Sequence, residues 1–422
     1  MLSSLRHREF RLLWIGLVLH NVGWWMQNFA LGWLVVQLAV KDEVPERAAL
    51  YLGLVGLSRA VPGIALGLVA GALVDRAERR RLMLVTQSVS GSLALLLSLL
   101  TAIGAVNLGW VLLLSLSGGV MAVFDAPARQ SALSRLVPPR DIMSAIGLQN
   151  VATHGTGVIG PALGGLLIGS IGNAGLFLIN GLSYLPVLLA LALMGPLPPV
   201  EGRLERSVLR SVREALGHVA RDPMLRWVFI VGGVASTLGR PYLSLLPAFV
   251  ANTLLRGPEE LSLLLTITGV GALFAAMLLA SAGRLKRRGL VFLLSSLALG
   301  GLVVVLAPQT TVDGSLVVAF GLGFASLAYM GVMSTIIQTT VPEQLLGRVV
   351  SLQVMNFMVL MPLGQLVLGA LGTAVGVGPA LAAGGAVTAF VALYALWRVD
   401  ALRRFGIPDP AVRLRESLAA AD

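Results

Sequence analysis

The chain has no cysteine. Disulfides, thiolate nucleophiles and cysteine-bound metals are therefore excluded. Charge is also scarce: 12% of the 422 residues are Asp, Glu, Lys or Arg, against 56% hydrophobic. A soluble domain carries roughly 25% charged residues. With a mean hydropathy of +0.87, the composition describes a polytopic membrane protein. There are four histidines and 20 acidic residues. They show no metal-ligand cluster, and Ser, His and Asp occur without nucleophile spacing, so no catalytic or metal-binding residue is assigned and no enzyme is expected. The chain lacks a G-x-x-x-x-G-K-[ST] loop, so ATP is not expected as the direct energy source. No cofactor is expected either. The apolar runs are uniform instead of alternating, which excludes a transmembrane barrel. No cleavable signal peptide is expected, because the first apolar run is too long and lacks a small-residue cleavage site.

What the chain does have is glycine, 49 residues of it, spread through long apolar runs. That composition suits helices packed closely through small residues. Twelve membrane-length spans are expected, at 12–38, 50–74, 82–105, 108–128, 142–170, 173–196, 225–250, 261–283, 289–308, 313–338, 348–374 and 377–398. Of the 31 Lys and Arg, 26 fall in the termini and in the turns after even-numbered spans. Three, Lys41, Arg47 and Arg256, lie in the opposite loops, and Arg59 and Arg240 lie inside spans. By the positive-inside rule both termini are cytoplasmic. The net charge of +11 thus reflects topology, and nucleic acid is not an expected partner. The expected partners are the lipid bilayer and a small-molecule substrate, and the expected state is a monomer.

The chain repeats. Shifted by 204 residues, Gly119, Pro138, Gln149, Gly160 and Gly165 meet Gly323, Pro342, Gln353, Gly364 and Gly369. Shifted by 208, Arg76, Arg79 and Arg80 meet Arg284, Arg287 and Arg288. Two six-helix halves follow, 1–196 and 227–400, with a linker at 197–226 and a polar tail at 401–422. Parallel repeats of this kind place a substrate path at their interface, near the membrane midplane. In the linker Leu204, Val208, Val212, Leu216 and Val219 recur at helical spacing, with arginines on other faces. This pattern predicts an amphipathic helix on the cytoplasmic surface, attracted to anionic lipid.

The turn between spans 2 and 3 organises the first half. Gly71–Leu82 reads GALVDRAERRRL. Gly71 admits a neighbouring helix, and Asp75 can pair with Arg79 at i+4. G-x-x-x-D-R-x-x-R-R in this hairpin, with Gly71, Asp75, Arg76, Arg79 and Arg80, resembles the loop 2–3 signature of the major facilitator superfamily, with Glu78 where many members have glycine. Gly160, Pro161, Gly164 and Gly165 in span 5 resemble the G-P-x-x-G-G core of the antiporter signature of its exporters, with Thr156 replacing the usual upstream glycine. Proline there frees a carbonyl and bends the helix, and a packing kink without directional meaning is the alternative. The stretch 124–150, with FRLLWIG near the start and ARDPMLRW after the linker, is similar to the branch holding the enterobactin exporter and macrolide efflux proteins. That branch exports bulky amphipathic compounds.

Asp125 is the one carboxylate well within a span, so it needs a partner or a task. Arg129 stands at i+4. The resemblance implies that Asp75, Arg79 and Asp125 form a gating cluster that loosens on protonation; a static salt bridge is the alternative. Arg59 and Arg240 cannot deprotonate and need an anion, a ladder of carbonyls or water. An anionic group on a substrate is one solution, and snorkelling to a polar boundary is another. Asn21, Trp24, Gln27 and Asn28 recur at helical spacing in span 1 and are expected to line a cavity, with Trp25 and Trp33 facing lipid. Gln149 and His154 from span 5 are placed in the same cavity, His154 doubling as an ordinary hydrogen-bonded core residue. Tyr329, Gln338, Gln353, Asn356 and Gln365 are the polar candidates of the second half, beside Arg240 and Tyr242.

The sequence therefore reads as an all-α, twelve-span major facilitator fold in a bacterial inner membrane. The expected task is export of a bulky amphipathic compound, such as a siderophore or drug, driven by proton entry. A proton-independent uniporter or importer is one alternative, since membrane acids are few. A sensor or scaffold that moves no solute is the other.

Overall fold

The computed structural model describes residues 3–133, 136–195, 208–281 and 287–406. Its long elements are helices: α1 Arg8–Lys41, α2 Ala48–Arg76, α3 Arg79–Ala102 and α4 Leu108–Leu133. The stretch Ile142–Leu193 is two rods broken at Gly172, α5 before it and α6 after. The second half holds α7 Pro223–Asn252, α8 Pro258–Ser281, α9 Arg288–Leu306, α10 Val312–Thr340, α11 Glu343–Val375 and α12 Val377–Arg398. Among the described residues, ten helices are long and apolar enough to cross a membrane, with α5 and α6 counted as one. The amides and tryptophans of α1 dilute its hydropathy, yet it is 34 residues long and packs with the rest. The twelve expected spans are present, their ends displaced by a few residues.

Local chemistry sets the breaks. Gly172 has φ +64 and Gly376 has φ +92, a region that costs residues with a Cβ, so the α5–α6 and α11–α12 corners fall on glycine. Glu78 caps α3: its carboxylate accepts from the backbone N–H of Arg80 at 3.0 Å and of Arg81 at 2.9 Å. Its departure from glycine in the loop signature thus has a structural use. Asp222 caps α7 in the same way, accepting from Met224 at 2.8 Å and Leu225 at 3.1 Å, with Pro223 at the first helical position. A π-turn interrupts α7 at Ala235–Gly239 and α11 at Asn356–Leu360, each just ahead of a proline, Pro241 or Pro362. A proline ring cannot donate to the previous turn, and the wider turn accommodates it.

The two halves repeat in space. A Cβ on Gly119 of α4 would stand 2.5 Å from the Arg59 carbonyl of α2. Gly323 of α10 meets the Thr268 carbonyl of α8 in the same way. Between the halves, α2 packs on α11 and α5 on α8. Gly53 lies against Gln365 and Leu366, Gly369 against Ala49, Gly165 against Ser262 and Gly269 against Gly157 and Val158. Asn252 donates to the Pro45 carbonyl at 2.9 Å, and Ser262 to the Pro161 carbonyl at 2.7 Å. These contacts run from mid-helix to the face away from the chain ends, here the far face.

The core tells the same story. On the far side, α1, α2 and α4 contribute Phe29, Val35, Leu52 and Leu114 to one apolar cluster that continues through the second half. On the side of the termini, the first half has a separate cluster built on Phe10, Leu13, Met83 and Leu191. The halves share a core at the far face and divide at the terminal face.

The linker helix, Val208–Arg221, lies on the terminal face. Ala215 and Val219 are buried, and Glu214 pairs with Arg348 at the start of α11. Its apolar side is thus occupied by protein, chiefly α11 and α7, instead of lying open to lipid as expected. Leu216 is 53% exposed, so it does not belong to the buried face assigned to it. Leu204 lies outside the described residues, as do the side chains of Val208 and Val212.

Candidate functional site

A cavity of about 760 Å³ lies between the halves. Its first-half wall comes from α1, α2 and α4, with Pro161 of α5; its second-half wall comes from α7, α8 and α11. The lining is largely apolar and aromatic: Trp24, Trp25, Phe29, Phe357, Met358 and Met361 supply most of the bulk. Its polar side chains are Asn28, Arg59, Gln130, Ser244 and Gln365. Gln365 donates to Ser244 at 2.6 Å, which ties α11 to α7. Arg59 Nη1 donates to Asn28 Oδ1 at 2.6 Å, and Asn28 donates to the Trp24 carbonyl at 2.7 Å. The arginine is thereby held across from α1. Arg59 is the one charged residue among the described lining residues.

A second cavity, about 420 Å³, lies inside the first half. Its wall is far more polar and includes His20, Gln87, Asp125, Arg129, Gln149 and Tyr184. Arg59, Trp24, Gly119 and Ala122 line both spaces and form the partition. Asp125 is buried in it. One of its oxygens accepts from Thr86 at 3.0 Å and from Gln87 at 2.9 Å. The other faces Arg129 Nε at 3.9 Å. A buried carboxylate is tolerable only with such compensation. His20 packs against Tyr184 with ring centroids 4.2 Å apart and planes tilted by 51°, and approaches Ser183 at 3.4 Å.

The residues expected around the cavity divide. Trp24, Asn28 and Arg59 line the space between the halves. Asn21, Gln27 and Gln149 line the smaller one instead. Asn21 donates to the Ala152 carbonyl at 3.3 Å, and Gln27 accepts from Asn180. The side chain of His154 lies outside the described residues. Gln353 and Asn356 are buried and off the cavity; their neighbours Val354, Phe357 and Met358 face it. On α11, Gln365 lines the cavity as expected, while Gln353 and Asn356 turn into the protein. Arg240, Tyr242 and Tyr329 are also off the cavity. Arg240 donates to the Met330 sulfur, Tyr242 pairs with Ser326 at 3.4 Å, and Tyr329 pairs with Ser236 at 3.3 Å. They form a polar seam within the second half. Trp25, expected at the lipid, lines the cavity instead. Gln130 and Ser244 were missed. Val354, Phe357, Met358, Met361, Pro362 and Gln365 share one helical face, at i, i+3, i+4, i+7, i+8 and i+11.

The expected gating cluster lies only partly within the described residues. The side chains of Gly71, Asp75 and Arg76 lie outside the described residues. Arg79 is buried at the start of α3, seven residues, or about 10 Å, closer to the terminal face than Thr86. Asp125 is held by Thr86, Gln87 and Arg129 at the deeper level. Arg80 does other work: it donates to the carbonyls of Leu191 at 2.6 Å and Ala192 at 3.0 Å, at the end of α6. A cation there also suits the negative end of the helix dipole.

The four residues of the span-5 motif form a packing node. A Cβ on Gly164 would stand 2.7 Å from the Phe29 ring, and one on Gly160 would stand still closer to the Trp25 Cβ, so both receive α1. Gly165 receives Ser262 of α8, whose hydroxyl donates to the Pro161 carbonyl. Pro161 has no N–H for the carbonyl of Gly157, and it is this carbonyl that Gly269 approaches.

The comparisons match this fold. The model of the family described as transmembrane secretion effector spans residues 1–409. The chain belongs to that family, within the major facilitator superfamily. It is a multi-pass membrane transporter and not an enzyme. It is similar to the multidrug efflux pump Tap of Mycolicibacterium fortuitum, 29% identical over 82% of this chain and 85% of the relative. It is also similar to the enterobactin exporter EntS of Citrobacter koseri, 28% identical over 84% of this chain and 86% of the relative. Among solved structures, a bacterial homologue of the human lysosomal transporter Spinster superposes with a TM-score of 0.68. That match is 16% identical and covers 95% of this chain and 96% of the other.

Proposed function

We propose that this chain exports a bulky amphipathic small molecule from the bacterial cytoplasm, by proton antiport and alternating access in the inner membrane. The observation that carries this reading is the cavity of about 760 Å³ between the halves, sealed at the far face and divided at the terminal one. The excess of Lys and Arg on the terminal side supports placing that side in the cytoplasm. The cavity then loads from the cytoplasm, as an exporter requires. The similarity to Tap and EntS, whose names denote efflux and export, supports the direction.

Asp125 is the proposed proton carrier. It is the one carboxylate in the described lining of either cavity. A proton on it weakens its attraction to Arg129 and its two hydrogen bonds from α3, so α3 and α4 become free to shift. The absence of a carboxylate from the described lining of the larger cavity favours a second reading, a carrier that uses no protons. Proteoliposomes loaded with a fluorescent aromatic dye separate the two. Antiport predicts efflux that rises with an imposed pH gradient and loses that dependence in Asp125→Asn. Gradient-independent efflux by the wild type would establish the second reading. Full gradient-driven efflux by Asp125→Asn would remove Asp125 as the carrier.

A further inference from the structure

We propose that the transported compound carries an acidic group, and that Arg59 is its anchor. This rests on the cavity being the transport site, and it names the chemistry that site selects.

Arg59 stands 11 residues, or about 16 Å, from the far end of α2, and 17 residues from its terminal end. Its guanidinium is held at mid-membrane depth by Asn28, so it does not reach a polar boundary. A guanidinium has five N–H donors and no acceptor. One of Arg59's donors has a protein partner, Asn28 Oδ1. The others have no hydrogen-bond partner among the described residues, and Arg59 lines both cavities. In the larger space there is no Asp or Glu among the described lining residues to meet them. In the smaller one the single carboxylate, Asp125, is already taken up by Thr86, Gln87 and Arg129. An arginine in this position is a standing demand for an anion.

The surroundings define the rest of the compound. Trp24, Trp25 and Phe29 flank Arg59 on α1, and Phe357, Met358 and Met361 face it from α11. Aromatic rings and thioethers accept a large apolar body of variable shape. The planar fork of arginine favours a carboxylate, sulfonate or phenolate oxygen pair over a point charge. A cationic compound would face Arg59 with no countercharge in the described lining. The class is therefore a bulky aromatic or aliphatic body with an acidic head.

The second half offers no equivalent. The residue that occupies the place of Arg59 in the repeat is Thr268, whose hydroxyl is spent on the Leu264 carbonyl at 2.8 Å. One anchor, on one half, is what the structure supplies.

Equilibrium binding to the purified full chain in detergent tests this. The probes are a pyrene carboxylate and the neutral amide made from it, followed by quenching of tryptophan fluorescence. The wild type is expected to bind the acid at least about tenfold more tightly than the amide, the size of one charge-assisted hydrogen-bonded contact. Arg59→Gln is expected to erase that preference by weakening binding of the acid. Arg59→Lys is expected to keep part of it. Equal binding of acid and amide by the wild type would overturn the proposal, and that measurement needs no variant to fold. Unchanged acid binding by a folded Arg59→Gln would overturn it too. Transport of the same probes keeps the two readings apart. A chain that prefers the acid but moves neither probe retains the anchor and loses export; one that moves both equally retains export and loses the anchor.

Discussion

Substituting Gly53 tests whether the far face seals the cavity. A Cβ at this position of α2 would stand 2.8 Å from Leu366 Cα and 2.9 Å from the Gln365 carbonyl oxygen on α11. Ordinary contact begins at 3.4 Å, and both neighbours are backbone, so no side chain can turn aside. In Gly53→Ala the two helices must part by about 0.6 Å, an overpacking typically worth about 1–3 kcal/mol. Because α2 and α11 belong to different halves, that strain acts on the closed seam and vanishes when the seam opens. An energy of this size shifts a two-state balance by about 5- to 150-fold. The absence of cysteine makes the shift measurable without background. A maleimide is offered to single cysteines at two reporter positions. Gln130→Cys lies exposed on the cavity wall toward the terminal face, and Val35→Cys is fully buried at its far end. Gly53→Ala should raise labelling at Val35→Cys by a factor in that range and lower it at Gln130→Cys. Gly385→Ala is the control, since its Cβ would crowd the Gly300 carbonyl at 2.7 Å within one half. It should lower thermal stability without moving the labelling ratio. If Gly53→Ala leaves the ratio where it was, or the control moves it equally, the seam does not govern access.

Three further outcomes are expected. Glu78→Ala removes the cap of α3, and should lower the stability of the purified protein by about 0.5–2 kcal/mol, read as a lower Tm. Gly172→Ala places a Cβ where φ is +64, and should be destabilising by about 1–3 kcal/mol in the same assay. On the terminal face, Asp141 accepts from His7 at 2.9 Å, and that hydrogen bond, with one from Ser3, holds its carboxyl below the usual carboxylate range. A depressed carboxylate lends stability that is complete above the ordinary range and is lost as the pH falls through the lower folded value. His7→Ala should therefore raise the pKa of Asp141, seen by carboxyl-resolved NMR or infrared titration, and flatten the stability profile in acid. An Asp141 titration unchanged by His7→Ala would refute the assignment.

The fold was legible because its signals are unambiguous in membranes. Uniform apolar runs gave the spans, loop arginines gave their alternation, and Gly119 and Gly323 gave the repeat, down to the carbonyls they meet. The pair of Asp125 and Arg129 was legible from spacing alone. The cavity wall was not. In α11 every face is apolar, since lipid, core and cavity all accept Val, Phe and Met, so periodicity carries no phase. Following the polar residues then selected Gln353 and Asn356, which are buried, over Val354 and Phe357, which face the cavity. The same bias chose Arg240, Tyr242 and Tyr329, which satisfy one another's neighbourhood inside the second half. Glu78 looked like a blemish in a motif because a cap is visible only once the helix start is known.

The pairing of Arg59 with Thr268 at matched places in the repeat has a consequence for the cargo. A symmetric cage built from duplicated parts would hold a ligand without caring which end leads. With the fixed charge on one wall and none opposite, the proposed passenger would be gripped by its head from the first half while its tail slid along the second. Under the proposed alternating access the head would travel with its own wall and the tail would change neighbours. Orientation would then be settled at loading, and every molecule would leave in the attitude in which it boarded.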